Sequence, residues 1–449
     1  MRRGVVVTGA VGAALLLGAG ALGLGVASGD PAPSIPSLPA PAPAPASGFV
    51  EPDPALVAVG RLLFHDPVLS GGEGVSCASC HHPRLGTSDG LSLSLGDGAS
   101  GLGPERRADP ANLPERRLPR NAPALFNLGF AEFTRFFWDG RLEEDPARPS
   151  GIRTPLGEDM EKGFASALSA QAMFPVLSPD EMAGHYGESE VSKLVRQGML
   201  AHEGGAWDAL AARVEAVPAY REALGAPVRF TAIADALAAF IAQEWRADGS
   251  PFDRHLRGEA PLTGLAAEGM ALFYGRAGCS GCHAGAFQTD HGFHAIAMPQ
   301  IGPGKGERFE THARDEGRFR VTGDPADLYR FRTPSLRHVT ETAPYGHSGA
   351  YATLEGVVRH HLDPVGALMA YDRAQAVLPG LAGAEDWRAL DDPAEVAAIA
   401  AANELEPVSL ADAEVAAILA FLGALTDEAA AAGRLGVPEA VPSGLAVER

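Results

Sequence analysis

Basic side chains are scarce in this sequence, with 36 Lys and Arg against 56 Asp and Glu, a formal net charge of −20 over 449 residues. A polyanion would be repelled, which argues against nucleic acid as a partner and is compatible with a basic protein steered in from solution. Long hydrophobic runs are equally rare. After the first 29 residues, no apolar run is long enough to span a bilayer. Strand-like alternation is scarce, whereas loop-forming residues are plentiful at 54 Gly and 36 Pro. Together these predict a mainly α fold with long loops. Composition is globular, at 46% hydrophobic and 20% charged, and the length implies more than one domain. Cysteine is rarest of all, four in the whole chain. Its placement is the most informative feature.

The N-terminus, "MRRGVVVTGAVGAALLLGAGALGLGVASG", carries two arginines, an uncharged apolar run and small residues near Ser28. This is an export pattern, and it leaves two readings of residues 1–28 open, a cleaved signal peptide or an N-terminal membrane anchor. The Pro/Ala-rich stretch that follows, residues 29–48, predicts an extended tether. Folded structure is expected from near Phe49, working outside the cytoplasm.

All four cysteines fall in two copies of one pattern, Cys77-Ala-Ser-Cys80-His81 and Cys279-Ser-Gly-Cys282-His283. A disulfide framework does not require a histidine directly after the second cysteine, twice. Zinc sites use Cys-x-x-Cys pairs but have no need of that histidine position. Covalent haem attachment needs both. Two thiols add to the two vinyl groups, and the next imidazole then ligates the iron. The pattern therefore predicts two c-type haems, held through Cys77, Cys80 and His81 and through Cys279, Cys282 and His283. His82 directly follows a ligand, so its side chain is expected to be directed elsewhere, at the surface or behind the ligand.

The residues upstream repeat as well. Gly60 and Phe64 precede the first motif as Gly269 and Phe273 precede the second. A glycine and an aromatic four apart share one helical face, and the glycine lets another helix approach closely. The expected partner in the second unit is "SLADAEVAAILAFLGALTD", with Ser409 as N-cap and Val415, Ile418, Leu419 and Leu422 as an apolar stripe. The expected fold is thus two cytochrome c-like haem domains, residues 49–248 and 249–430, with a tail at 431–449. Thr263 is expected to cap the helix that opens the second haem unit.

With "RNAPALFN" (120–127), "FFWDGR" (136–141), "SPDEM" (178–182) and "FRTPSLRHVTETAPYGHSG" (331–349) added to the haem motifs, the chain resembles the bacterial di-haem cytochrome c peroxidases. That family includes the methylamine-utilisation di-haem enzymes. The resemblance implies that the first haem is the peroxide site and that the second passes electrons to it. It implies an acid/base glutamate over the first iron with a glutamine ten positions upstream, here Glu181 and Gln171, although Ser-Pro-Asp replaces the family's Asn-Pro-x before the glutamate. Splitting peroxide requires a group that takes one proton and returns it to the leaving oxygen. On its own, Pro179-Asp180-Glu181 would read as an acidic helix start. Trp138 matches the family's tryptophan between the haems, and a packing role is compatible with a bridging one. A calcium ion is implied at the Asn121 side chain and the carbonyls of Thr342 and Pro344, hard oxygen donors of the kind calcium takes. The donor is implied to be a small periplasmic cytochrome c or cupredoxin, and some family members are homodimers.

Many family peroxidases carry a histidine that blocks the resting first iron. Here no histidine lies between His82 and His185, so the first haem is expected to be open without reductive activation. For the second haem the family places methionine or tyrosine fourteen residues after the histidine of its "PYxH" segment. Counting from His347 reaches His361, a departure that would lower the potential. His360, Met298 and Met369 are the competitors. The leading reading is a periplasmic di-haem peroxidase that reduces hydrogen peroxide. Its rivals are a cofactor-maturing oxidase that acts on a partner protein and a non-enzymatic electron-transfer cytochrome.

Overall fold

The computed structural model describes residues 41–305, 310 and 312–449. The signal or anchor segment and most of the tether therefore lie outside the described residues. Among those described, no helix is long and apolar enough to cross a membrane. Phe49 is the first buried residue, its ring edge-on to Phe130 at 4.9 Å between centroids.

The fold is mainly helical, and its strands are two or three residues long in three small antiparallel sheets. One helix pair is built twice. The Pro54–His65 helix starts because the Asp53 carboxylate accepts the Ala55 N–H at 2.8 Å and Pro54 needs no donor partner. It packs on the Phe230–Glu244 helix, and the Gly264–Phe273 helix packs on Asp412–Gly423 in the same manner. A Cβ on Gly60 would lie 1.9 Å from the Ala236 carbonyl oxygen, and one on Gly269 would lie 1.8 Å from that of Ala417. Only glycine permits either approach. The aromatic partners also correspond, with Phe64 5.3 Å from Phe240 and Phe273 5.1 Å from Phe421. Burying each phenylalanine contributes about 1.5–3 kcal/mol.

Val415, Ile418 and Leu422 are buried as the stripe requires, and Leu419 only partly so. Thr263 occupies the N-cap position of the Gly264–Phe273 helix, without a capping side-chain hydrogen bond. Ser409 is not the cap of the last long helix. That helix begins at Asp412, and the Glu414 carboxylate reaches back to the Ala411 N–H at 2.9 Å. The longer side chain can close the turn from within the helix, and the Ser409 carbonyl instead accepts from Arg276.

One core cluster draws on residues from Phe49 to Ala247 together with Ala286, Phe287 and Ala430, and a second runs from Phe252 to Leu425. Phe287 joins the first from the second half of the chain, with its ring 4.7 Å from Phe130. Beside it, Arg337 and Asp253 form a buried ion pair at 2.8 Å. The C-terminal residues return to the first half. Glu244 accepts the N–H groups of Leu435 and Gly436 at 2.7 and 2.8 Å, and Ser443 donates to Asp66 at 2.7 Å.

Candidate active site

Each Cys-x-x-Cys-His motif forms a single 3₁₀ turn that closes on its histidine. The His81 N–H bonds the Cys77 carbonyl at 2.9 Å, and the His283 N–H bonds the Cys279 carbonyl at 3.0 Å. His81 Nδ1 lies 2.9 Å from the Thr87 carbonyl, and His283 Nδ1 lies 3.0 Å from the Gln288 carbonyl. A carbonyl only accepts, so the proton sits on Nδ1 and Nε2 is the nitrogen able to ligate a metal. Thr87 and Gln288 aim those carbonyls from left-handed backbone, at φ 61° and 51°, an uncommon state for such residues and one that clusters at functional sites. Burial holds both imidazoles neutral, lowering His81 and bringing His283 down to about 4 with help from His361. All four cysteines are free, and burial first of all pushes Cys77, Cys80 and Cys279 up to about 12, 11 and 12. These are not the depressed thiols of a reactive pair. His82 is buried rather than on the surface, its Nδ1 accepting the Arg84 N–H at 3.2 Å. The proline that follows turns the backbone so that the ring caps the next turn.

His361 faces His283, with ring centroids 6.4 Å apart. An imidazole nitrogen about 2.0 Å from a metal puts the ring centre roughly 3.2 Å from it, so two rings sharing one ion stand roughly 6.3 Å apart. His361 Nδ1 donates to the Val357 carbonyl at 2.8 Å, again leaving Nε2 as the nitrogen able to ligate. His360 has no nitrogen to spare. Tyr351 Oη lies 2.9 Å from its Nδ1, and its Nε2 donates to the Ile296 carbonyl at 2.7 Å. Met298 is buried in the second core, and Met369 is 61% exposed.

Glu181 sits in a one-turn π-helix, Pro179–Ala183, gripped from three directions. Its carbonyl accepts the Asp97 N–H at 2.9 Å, the Met182 carbonyl accepts the Gly71 N–H at 2.7 Å, and Arg116 pairs with Asp180 at 2.6 Å. A Cβ on Gly96 would lie 2.1 Å from the Asp180 carbonyl oxygen, so the loop can pass only there. That loop is itself organised around Arg106, which is fully buried and donates to the carbonyls of Leu95, Gly96, Ala99 and Gly101. Burial pushes the half-buried Glu181 carboxyl up to about 7, against the pull of Arg141 and Lys305. Its charge also raises the Cys80 thiol, so it lies within electrostatic reach of the first motif. Gln171 is on the short Ala167–Ala172 helix and makes no hydrogen bond to Glu181 among the described residues. His185, the next histidine along the chain, is held by Glu115 at 3.2 Å.

Trp138 stands where the two halves meet. Its carbonyl accepts the Arg332 N–H at 2.7 Å, and Arg332 Nε donates to the Phe137 carbonyl at 3.0 Å. The guanidinium carbons of Arg120 and Arg141 each lie 4.2 Å from its ring centroid. Asp139 holds Arg141 at 2.8 Å, and Asp315 holds Arg120.

Residues 54–261 match the profile of di-haem cytochrome c peroxidases. The methylamine utilization protein MauG of Methylorubrum extorquens is 33% identical over 317 residues, covering 69% of each chain. The chain belongs to the di-haem cytochrome c peroxidase family. Cytochrome c peroxidase Ccp of Escherichia coli is 32% identical over 309 residues, 68% of this chain and 53% of that one. A solved MauG-like protein associated with microbial copper homeostasis superposes with a TM-score of 0.54 at 26% identity, covering 89% of this chain and 96% of that chain. The diheme peroxidase BthA of Burkholderia thailandensis, at 22% identity and a TM-score of 0.57 over 92% and 96% of the two chains, shares the fold.

Membership of this family implies two c-type haems, and the residues present suit them. Trp138 Nε1, Arg120 Nε and His347 Nε2 are buried with no hydrogen-bond partner among the described residues. Burial lowers Arg332 to about 10 and depresses Arg120 strongly. Buried donors without partners, beside a buried cation such as Arg332, are what the two propionates of a haem would satisfy. For calcium, the structure brings two of the three expected residues together. The Asn121 amide donates to the Pro344 carbonyl at 2.6 Å and accepts from Ser88. The Thr342 hydroxyl bonds the Val339 carbonyl at 3.2 Å.

Sequence reasoning quoted the segments holding Arg120, Arg141 and Arg332 but gave them no role, because a lone arginine carries no periodicity or spacing. Thr87 and Gln288 were missed for the same reason. They act through a carbonyl, which every residue has. The loop at 91–119 carries no motif in the sequence, and the structure sets it against the Glu181 turn.

Proposed function

We propose that this protein is a periplasmic di-haem peroxidase that reduces hydrogen peroxide to water with electrons from a small cytochrome c or cupredoxin. In this reading residues 49–248 hold the peroxidatic haem on His81 and residues 249–430 hold the electron-transfer haem between His283 and His361. The observation that carries it is an asymmetry. His283 has a second imidazole, that of His361, with its ring centroid 6.4 Å away, whereas the first site has within its reach an acid poised at about 7.

The haems, when attached, supply the redox chemistry that takes two electrons to the O–O bond. The protein supplies the protons and the path. At neutral pH Glu181 is divided between its two protonation states, so it can accept a proton from the near oxygen and return it to the leaving oxygen with little driving force lost. The three-sided grip fixes the turn that carries the carboxyl, and Gln171 is proposed as an amide donor beside it. The second motif is the more open one, since Gly278 and Gly281 are exposed where the corresponding Ser76 and Ser79 are buried, and this favours electron entry there. Trp138, tied by backbone to Arg332, bridges the two. Asn121, Pro344 and the Thr342 carbonyl are proposed to hold calcium at the junction.

Relatedness to MauG favours a second reading, oxidation of residues on a partner protein. The imidazole of His361 opposite His283, where those enzymes carry tyrosine, argues against simple transfer of that activity. Stopped-flow visible spectroscopy of the as-isolated oxidised protein tests the proposal. A high-spin band that disappears on mixing with peroxide is expected, together with an unchanging low-spin component. A wholly low-spin spectrum that peroxide does not alter would leave only an electron carrier.

A further inference from the structure

Resting on that peroxidase reading, we propose that Arg120 and Arg141 are positioning residues that keep the Trp138 ring reduced, so that it conducts between the haem sites without storing an oxidising equivalent. Both guanidinium carbons lie 4.2 Å from the indole centroid. A cation over an aromatic face is attracted by the electron-rich ring, and that attraction becomes repulsion once the ring loses an electron. Two such cations act here together.

Each is fixed in place by its other contacts. Arg141 also lies over Phe137 at 4.0 Å and is gripped by Asp139 at 2.8 Å. Arg120 lies over Phe331 as well, at 5.5 Å, and is tied to Asp315. Both aspartates are buried, at 3% and 2% exposure, so neither arginine is free to swing away into water. A guanidinium offers its flat face to a ring while its edge donates to a carboxylate. Arg141 is also the foremost opposing charge on Glu181, which places one cation within reach of both the proton-transfer group and the bridge. An indole held in this way suits rapid delivery of donor electrons to the peroxide site. It does not suit an enzyme that keeps a hole on the bridge until a partner protein arrives.

The test uses the holoprotein with both haems attached. It is mixed with one equivalent of hydrogen peroxide, freeze-quenched, and read by EPR for an indole radical. In parallel it is oxidised with photogenerated tris(bipyridine)ruthenium(III), which needs no peroxide chemistry. The native protein should show no Trp138 radical by either route. Arg120→Gln and Arg141→Gln should each raise the photo-oxidised indole signal about ten-fold or more, and adding Trp138→Phe should abolish it. Arg120→Lys and Arg141→Lys, which keep the charge, should stay at the native level. A native indole radical that Trp138→Phe removes would overturn the proposal without any arginine variant having to fold. So would glutamine variants that remain silent under photo-oxidation. If the photo-oxidation pattern holds but peroxide leaves the haem spectrum unmoved, the clamp stands and the peroxidase reading falls.

Discussion

Replacing Glu181 with glutamine should slow the enzyme and stabilise it at the same time. The carboxyl is raised from 4.5 to about 7, chiefly by burial. Between those two values the folded protein binds a proton that the unfolded chain has lost. Native stability therefore falls as pH rises through that window and levels off above 7. At 1.36 kcal/mol per unit, an ionised Glu181 at pH 8 costs at most about 3 kcal/mol. Glutamine has the same shape and no charge to bury, so Glu181→Gln should gain up to that amount at pH 8 and almost nothing at pH 4. Peroxide reduction should fall by about 10²–10⁴-fold, the usual contribution of a placed acid/base. The native kcat/KM should also have an acidic limb near pH 7 that the variant lacks, since the ionised form must take the first proton. Guanidinium unfolding at pH 4 and 8, beside steady-state oxidation of a reduced small cytochrome from pH 5 to 9, measures both halves. A variant equally fast, or one less stable at pH 8 than the native protein, would refute the reasoning.

Three further outcomes follow from the geometry. His361→Gly should turn the second haem from low-spin to high-spin, with added imidazole restoring the original visible spectrum, whereas His360→Gly should leave the spin state alone. Gly269→Ala puts a methyl 1.8 Å from the Ala417 oxygen, and the helix pair must part. A loss of about 1–3 kcal/mol or more is expected in denaturant melts, and an unshifted midpoint would mean that the two helices are not so closely packed. Asp253→Ala leaves Arg337 buried without its partner, which should cost about 3–5 kcal/mol in the same assay.

What could be read from the chain alone was whatever depends on local spacing. The haem motifs, the Gly60/Phe64 and Gly269/Phe273 repeat and the apolar stripe at Val415, Ile418 and Leu422 are all set by residues within one or two turns of each other. Counting pointed to His361 over His360, but the physical reason to prefer it could not be read. Tyr351 and the Ile296 carbonyl occupy His360 from separate segments. Ser409 failed as a cap because the longer side chain of Glu414 reaches back to the Ala411 N–H and starts the helix at Asp412. The arginines around Trp138 could not be read at all. Arg120 and Arg141 converge on one ring from positions twenty-one residues apart, and sequence spacing says nothing of such convergence.

The repeat also explains how one ancestral plan could carry two different chemistries. The parts that hold a haem are nearly the same in both halves: a glycine-spaced helix pair, a 3₁₀ turn, and a left-handed residue whose carbonyl fixes the histidine tautomer. Any difference in reactivity must therefore come from what the loops bring to the opposite side. In the second half the Leu354–Leu362 helix delivers His361, whose Nδ1 is satisfied within its own turn, so that the proposed ligation would cost no hydrogen bond elsewhere. In the first half a π-turn delivers a carboxyl, braced by the Gly96–Asp97 loop and by Gly71. A carboxyl raised to about 7 is a costly thing to build into a fold. Its turn is braced by two backbone hydrogen bonds and one ion pair, which suits the proton-transfer role proposed for it.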